Sequence, residues 1–176
     1  MASEKSTKVI TGKALFCYVN LIKPTAMNEG ETPKYNCAVL IPKTDKETIA
    51  KINNAIKNAT QEGLTVFGGK VPAKMNSPLR DGDEERPDDP TFAGMMFLNP
   101  KSLVKPGIVD RNLQEIIDPD EIYSGMYGRA SLVFYAYNKA GNKGIAVGLN
   151  NIQKLEDGER LGGGSSPSED FGDPLM

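Results

Sequence analysis

Three observations predict a mainly β fold, a small barrel with one long helix. Two alternating runs, Gly128–Asn138 (GRASLVFYAYN) and Gly144–Leu155 (GIAVGLNNIQKL), flank the turn Lys139–Lys143, and a Gly/Asn-containing loop between such runs signals a β-hairpin. Only one stretch has the period of a long helix, whereas a doubly wound α/β sheet needs helices alternating regularly with strands. The length, 176 residues, suits one domain that buries its own core without disulfides or metals.

Residues 1–8 are polar and are expected to form a flexible N-terminus. Val9–Leu21 is rich in β-formers, with Gly12 marking a bulge or bend. Within it Leu15, Cys17 and Val19 alternate with Phe16, Tyr18 and Asn20, the period of a half-buried strand. After a polar loop, Tyr35–Ile41 is a second strand closed by Pro42. Thr44 and Glu47 form a capping box, and Ile49, Ile52, Ile56 and Ala59 then share one helical face before Gly63 ends the helix.

Residues 64–92 read as a long irregular insertion, with Gly68-Gly69, four prolines and the charge run RDGDEERPDDP. Connections of this length in a compact domain are usually functional or disordered. Gly94–Leu98 and Ile108–Val109 are short strands. Asp118 and Pro119 start a short helix ending near Tyr123. The hairpin follows. This order fits an OB-fold-like Greek-key barrel, residues 9–160, better than any parallel sheet. Residues 161–176 open with Gly/Ser-rich linker composition and form an acidic tail.

Composition narrows the chemistry. The chain has no His and two Cys, which excludes a Ser-His-Asp triad, a Cys-His dyad and a four-thiolate zinc site. Cys17 and Cys37 lie in apolar runs and read as small buried thiols. No apolar run is long enough to cross a membrane, and MASEKSTK lacks the apolar region of a signal peptide. No cofactor is expected.

The net charge of −2 hides a strong asymmetry. Residues 156–176 hold six acids and one base, a net −5; residues 80–90 hold six acids and two bases, a net −4. The remaining body has 18 bases and 11 acids, a net +7. A basic body with an acidic tail points to a polyanionic partner and a tail able to imitate it.

The hairpin shows where that partner would bind. Ala130, Leu132, Phe134 and Ala136 form one face of its first strand, matched by Ile145, Val147 and Leu149. The opposite face carries Arg129, Tyr135 and Tyr137, with Lys139 and Lys143 at the turn, against Gly144, Ala146 and Gly148. Aromatic rings stack on nucleobases and nearby Lys and Arg attract phosphates. Tyr135 and Tyr137 could equally be covered by the 64–92 insertion. Phe16 and Tyr18 near Lys13, and Tyr35 beside Lys34, repeat the motif and complete the candidate interface.

The segments Tyr35–Lys43 (YNCAVLIPK), Pro78–Asp89 (PLRDGDEERPDD), Gly107–Asp110, Tyr123–Ala130 (YSGMYGRA) and Asn142–Leu155 carry a resemblance to the small single-stranded DNA-binding proteins of tailed phages. The resemblance implies an OB fold, sequence-independent binding of single-stranded DNA, no catalysis, a role in phage DNA replication or recombination, and residence in the cytoplasm of the infected host. The acidic end, with Glu169, Asp170, Phe171, Asp173, Pro174, Leu175 and Met176, resembles the tails through which such proteins meet replication or recombination partners. Two other readings stand beside it: a Mg²⁺-dependent nuclease using Asp81, Asp83 and Glu84, and a virion assembly protein.

Overall fold

The structure is a computed structural model that describes residues 6–26, 29–73, 75 and 77–161. The acidic end Glu169–Met176 lies outside the described residues. In chain order the elements are β1 (Lys8–Ile10), β2 (Ala14–Thr25), β3 (Lys34–Pro42), α1 (Lys46–Glu62), β4 (Arg80–Asp81), α2 (Gly82–Glu85), β5 (Met95–Leu98), β6 (Lys101–Ser102), β7 (Gly107–Val109), β8 (Tyr127–Lys139) and β9 (Asn142–Glu156). Single 3-10 turns occur at Pro90–Phe92 and Pro119–Glu121. Among the described residues no helix is long and apolar enough to cross a membrane.

Five strands close a ring. β2 pairs with β3, β3 with β6, β6 with β9, β9 with β8, and β8 returns to β2. This closure makes the barrel expected from the sequence. β1 extends the outside of β8, β7 that of β9, and β4 with β5 that of β3.

The hairpin faces follow the alternation in β8 and in β9 as far as Leu149; there β9 carries one extra residue, since Leu132 pairs with Leu149 but Ser131 with Asn151. Ala130, Leu132, Phe134, Ile145, Val147, Leu149 and Ile152 are buried in the main core with Phe16, Met126 and Leu98. The turn is tighter than the sequence reading: β8 and β9 run to Lys139 and Asn142, leaving Ala140 and Gly141, both left-handed at φ 53° and 87°. Two central residues with positive φ match the right-handed twist of the flanking strands.

Helix α1 closes one end of the barrel through Ile52, Ala55 and Ala59. Its cap is Asp45 rather than Thr44: the Asp45 carboxylate accepts from the Thr48 N–H at 3.1 Å and the Thr48 hydroxyl at 2.7 Å. Thr48 Oγ1 in turn accepts the Gly12 N–H at 3.0 Å. Gly12 is therefore a site of close approach, since a Cβ there would stand 2.6 Å from the Asp45 carboxylate.

The acidic run 80–90 is held by charge pairing, in part with Lys43 from the end of β3. Asp81 Oδ2 and Asp83 Oδ2 accept from Lys43 Nζ at 3.0 and 2.8 Å, and Arg80 pairs with Glu85 at 2.6 Å. The Asp83 carboxylate also accepts the Gly94 N–H at 3.1 Å. The Lys43 contact draws Asp81 and Asp83 below the ordinary carboxylate range, while Asp81, then Asp83, push Lys43 up to about 12. A lowered carboxylate pKa stabilises above the ordinary value and loses that contribution as pH falls through the folded one. The Gly94 amide resonance should therefore hold constant down to about pH 4 and move only below it. A midpoint above the ordinary range would show that Lys43 does not hold the acids.

Candidate nucleic-acid interface

The outer face of β1, β8, β9 and β6 carries the candidate surface. Paired residues on neighbouring strands point to the same side, and Lys8 pairs with Val133, Val133 with Gly148, and Gly148 with Lys101. Leu132 and Phe134, flanking Val133, are buried, so this row faces outward. Adjacent strands lie about 4.8 Å apart, which places the Lys8 and Lys101 backbones about 14 Å apart. Among the described residues neither lysine has an ion-pair partner.

Tyr135 stands beside this row. It pairs with Ala146, and its ring edge lies 3.6 Å from the place a Cβ on Gly148 would occupy. The glycine lets the ring lean along the sheet, and 51% of Tyr135 stays exposed. Tyr137 follows on the same face, half-buried opposite Gly144. Lys139 is exposed at the hairpin tip. A ring beside isolated cations offers stacking to a base and attraction to its phosphates.

The other predicted residues lie elsewhere. Arg129 shares the outer face but sits six residues before Tyr135, about 20 Å along the strand, and its Nε donates to Gln153 Oε1 at 2.6 Å. Lys143 donates to the Phe67 carbonyl at 3.1 Å, and Asn138 to that of Val66 at 3.4 Å, so the 64–69 turn binds the side of the hairpin and leaves Tyr135 open. Lys13 pairs with Glu156 and lies 4.9 Å from the Tyr127 ring centre, at the opposite end of the hairpin from its tip. Lys34 is exposed at the start of β3, and Tyr35 is half-buried on the side that alternation gives to Cys37 and Val39.

Phe16 is a correction: it is fully buried in the core and offers no ring to a ligand. The alternation breaks just after it. Cys17 pairs with Ala38 but Asn20 with Asn36, so β2 has one extra residue there. This bulge flips the phase. Phe16 and Val19 face the core, while Tyr18 emerges on the outside, 55% exposed. Burial pushes the Cys17 thiol up to about 11, with Asp89 adding to it, and raises that of Cys37 further. Neither is poised as a nucleophile.

Lys8 and Lys101 escaped the sequence reading. Each lies in a strand of two or three residues, too short for any period, and the β6–β9 pairing is parallel.

Barrel closure and the capping helix give an OB-like barrel, and its outer face carries exposed aromatic and cationic side chains. A family model described as the ssDNA-binding protein of Enterobacter phage Enc34 matches residues 7–175; the chain belongs to this family of phage single-stranded DNA-binding proteins. Protein p50 of Acyrthosiphon pisum secondary endosymbiont phage 1 is 31% identical over 96% of this chain and 95% of its own. Among solved structures, the bacteriophage Enc34 single-stranded DNA-binding protein in complex with ssDNA is similar at a TM-score of 0.78, with 26% identity over 89% of this chain and 90% of that one. The single-stranded DNA-binding protein gp2.5 of bacteriophage T7 shares the fold, at a TM-score of 0.58 and 17% identity over 93% of both chains.

Proposed function

We propose that this protein binds single-stranded DNA without sequence preference and without catalysis, in phage DNA replication in the host cytoplasm, through the outer face centred on Tyr135. The observation that carries the assignment to this face is the row Lys8, Val133, Gly148 and Lys101, with the Tyr135 ring beside it. Stacking on Tyr135 supplies affinity that any base satisfies, and Lys8, Lys101 and Lys139 attract the backbone. Tyr137 extends the platform. Lys143, paired with Asn138 near the hairpin tip, lies at its edge, while Arg129 and Lys34 lie farther off.

The body, residues 9–160, is the binding domain, and residues 161–176 form the acidic tail. Its acids and the apolar end Phe171, Pro174, Leu175 and Met176 suit a replication or recombination partner, or self-competition for the basic face. A nuclease reading is disfavoured, because Lys43 and backbone N–H groups engage Asp81 and Asp83, and the family is one of binding proteins.

Fluorescence anisotropy with a labelled dT oligonucleotide at low salt tests the reading. Saturable binding is expected, with far weaker binding to a duplex and tighter binding once residues 162–176 are removed. Absence of binding by both forms would overturn it. Unchanged affinity after the deletion would reject self-competition alone.

A further inference from the structure

Tyr18 combines three features that packing alone does not explain. It is bulky yet left-handed, at φ 48°, a conformation that Asn or Gly adopts far more readily. Side chains hold it there: Asn20 Nδ2 donates to the Tyr18 carbonyl at 3.3 Å, and Ser124 Oγ accepts the Val19 N–H at 3.0 Å. Despite that support the residue is more than half exposed. Strain that the surroundings over-determine clusters at functional sites.

The ring has a cationic neighbour. Arg86, at the end of α2, places its guanidinium carbon 5.7 Å from the Tyr18 ring centre and 5.3 Å from that of Phe92, and the two rings lie 6.3 Å apart. The neighbouring cations Arg80 and Lys43 are neutralised, Arg80 by Glu85 and Lys43 by Asp81 and Asp83. No described carboxylate pairs with Arg86. Asp89 is occupied as the cap of the Pro90–Phe92 turn.

The pairing row of the first face continues towards this patch. Lys101 pairs with Asn36 and Asn36 with Asn20, and Asn20 Nδ2 donates to Asn36 Oδ1 at 3.0 Å. Gly148, Lys101, Asn36 and Asn20 thus make a belt across the strands from Tyr135 to the Tyr18 bulge.

We propose that Tyr18 and Arg86, backed by Phe92, form a second stacking patch for the same single strand, which crosses the barrel along this belt from Tyr135. This inference rests on the proposed binding of single-stranded DNA at Tyr135. Arg86 contacts a phosphate while a base stacks on Tyr18. The acids around Arg86 keep the patch selective for a strand already anchored at Tyr135.

Tyr18→Asn, Tyr18→Leu and Arg86→Ala, with Tyr135→Ala as reference, test it on the full chain with a labelled dT oligonucleotide of about 16 nucleotides. Tyr18→Asn should melt no lower than the parent, because Asn tolerates the left-handed backbone, yet bind about 5- to 150-fold more weakly. Tyr18→Leu keeps the bulk without the aromatic face and should lose affinity as well. Arg86→Ala should lower the slope of log affinity against log salt by about 0.7, one phosphate's worth on a single strand. Parental affinity in both Tyr18 variants with weakened Tyr135→Ala would overturn the second patch and leave the first standing. Parental affinity in all three tyrosine variants would overturn the Tyr135 reading, and this inference with it.

Discussion

Phe16→Ala should lose about 3–5 kcal/mol of folding stability and show no separate defect in binding DNA. The ring is completely buried among Val39, Leu132 and Phe134 in the main core. Removing it withdraws apolar area from the centre of the barrel and leaves a cavity that the closed sheet cannot collapse to fill. Urea unfolding gives the stability, and an anisotropy titration in the absence of urea gives the affinity of the molecules that remain folded. A variant of parental stability with weakened binding would place Phe16 on the surface, against the bulge that turns it inward.

Tyr135→Ala should show the reverse pattern. Half of the residue is exposed, so loss of the ring should change stability by less than about 1 kcal/mol, as exposed substitutions usually do. Binding to a dT oligonucleotide should weaken by about 1–3 kcal/mol if one base stacks on the ring. Tyr135→Phe, which keeps the aromatic face and removes only the hydroxyl, should bind as the parent does. Equal affinity for Tyr135→Ala and the parent would reject this face.

The contrast between Phe16 and Tyr135 shows how much was legible in the residues. Both stand in strands with clear alternation. In β8 the period runs unbroken, so the inner set Ala130, Leu132 and Phe134 and the outer set Arg129, Tyr135 and Tyr137 emerged correctly. In β2 a single inserted residue reversed the phase, and the polar groups that stabilise the bulge, Asn20 and Ser124, are 104 residues apart. No local pattern announces such a partner.

Charge behaved similarly. The acidic run 80–90 was visible, but its partner Lys43 stands 38 residues before Asp81, so the run read as an irregular loop. The structure makes it an ordered piece of β4 and α2. Lys8 and Lys101 were hidden because pairing, not sequence spacing, brings them beside Gly148. Arg129, by contrast, was correctly placed on the outer face, yet the strand's rise carries it away from Tyr135.

The salt dependence of binding tests the proposed face most directly. Affinity for a dT oligonucleotide should be measured over a range of monovalent salt for the parent and for a Lys8→Ala/Lys101→Ala/Lys139→Ala variant. Each phosphate neutralised on a single strand contributes about 0.7 to the slope of log affinity against log salt. The face predicts a steep parental slope, reduced by about 2 in the triple variant if each lysine meets one phosphate. Parallel lines for the two proteins would contradict it, because the strand would then lie on another surface of the barrel.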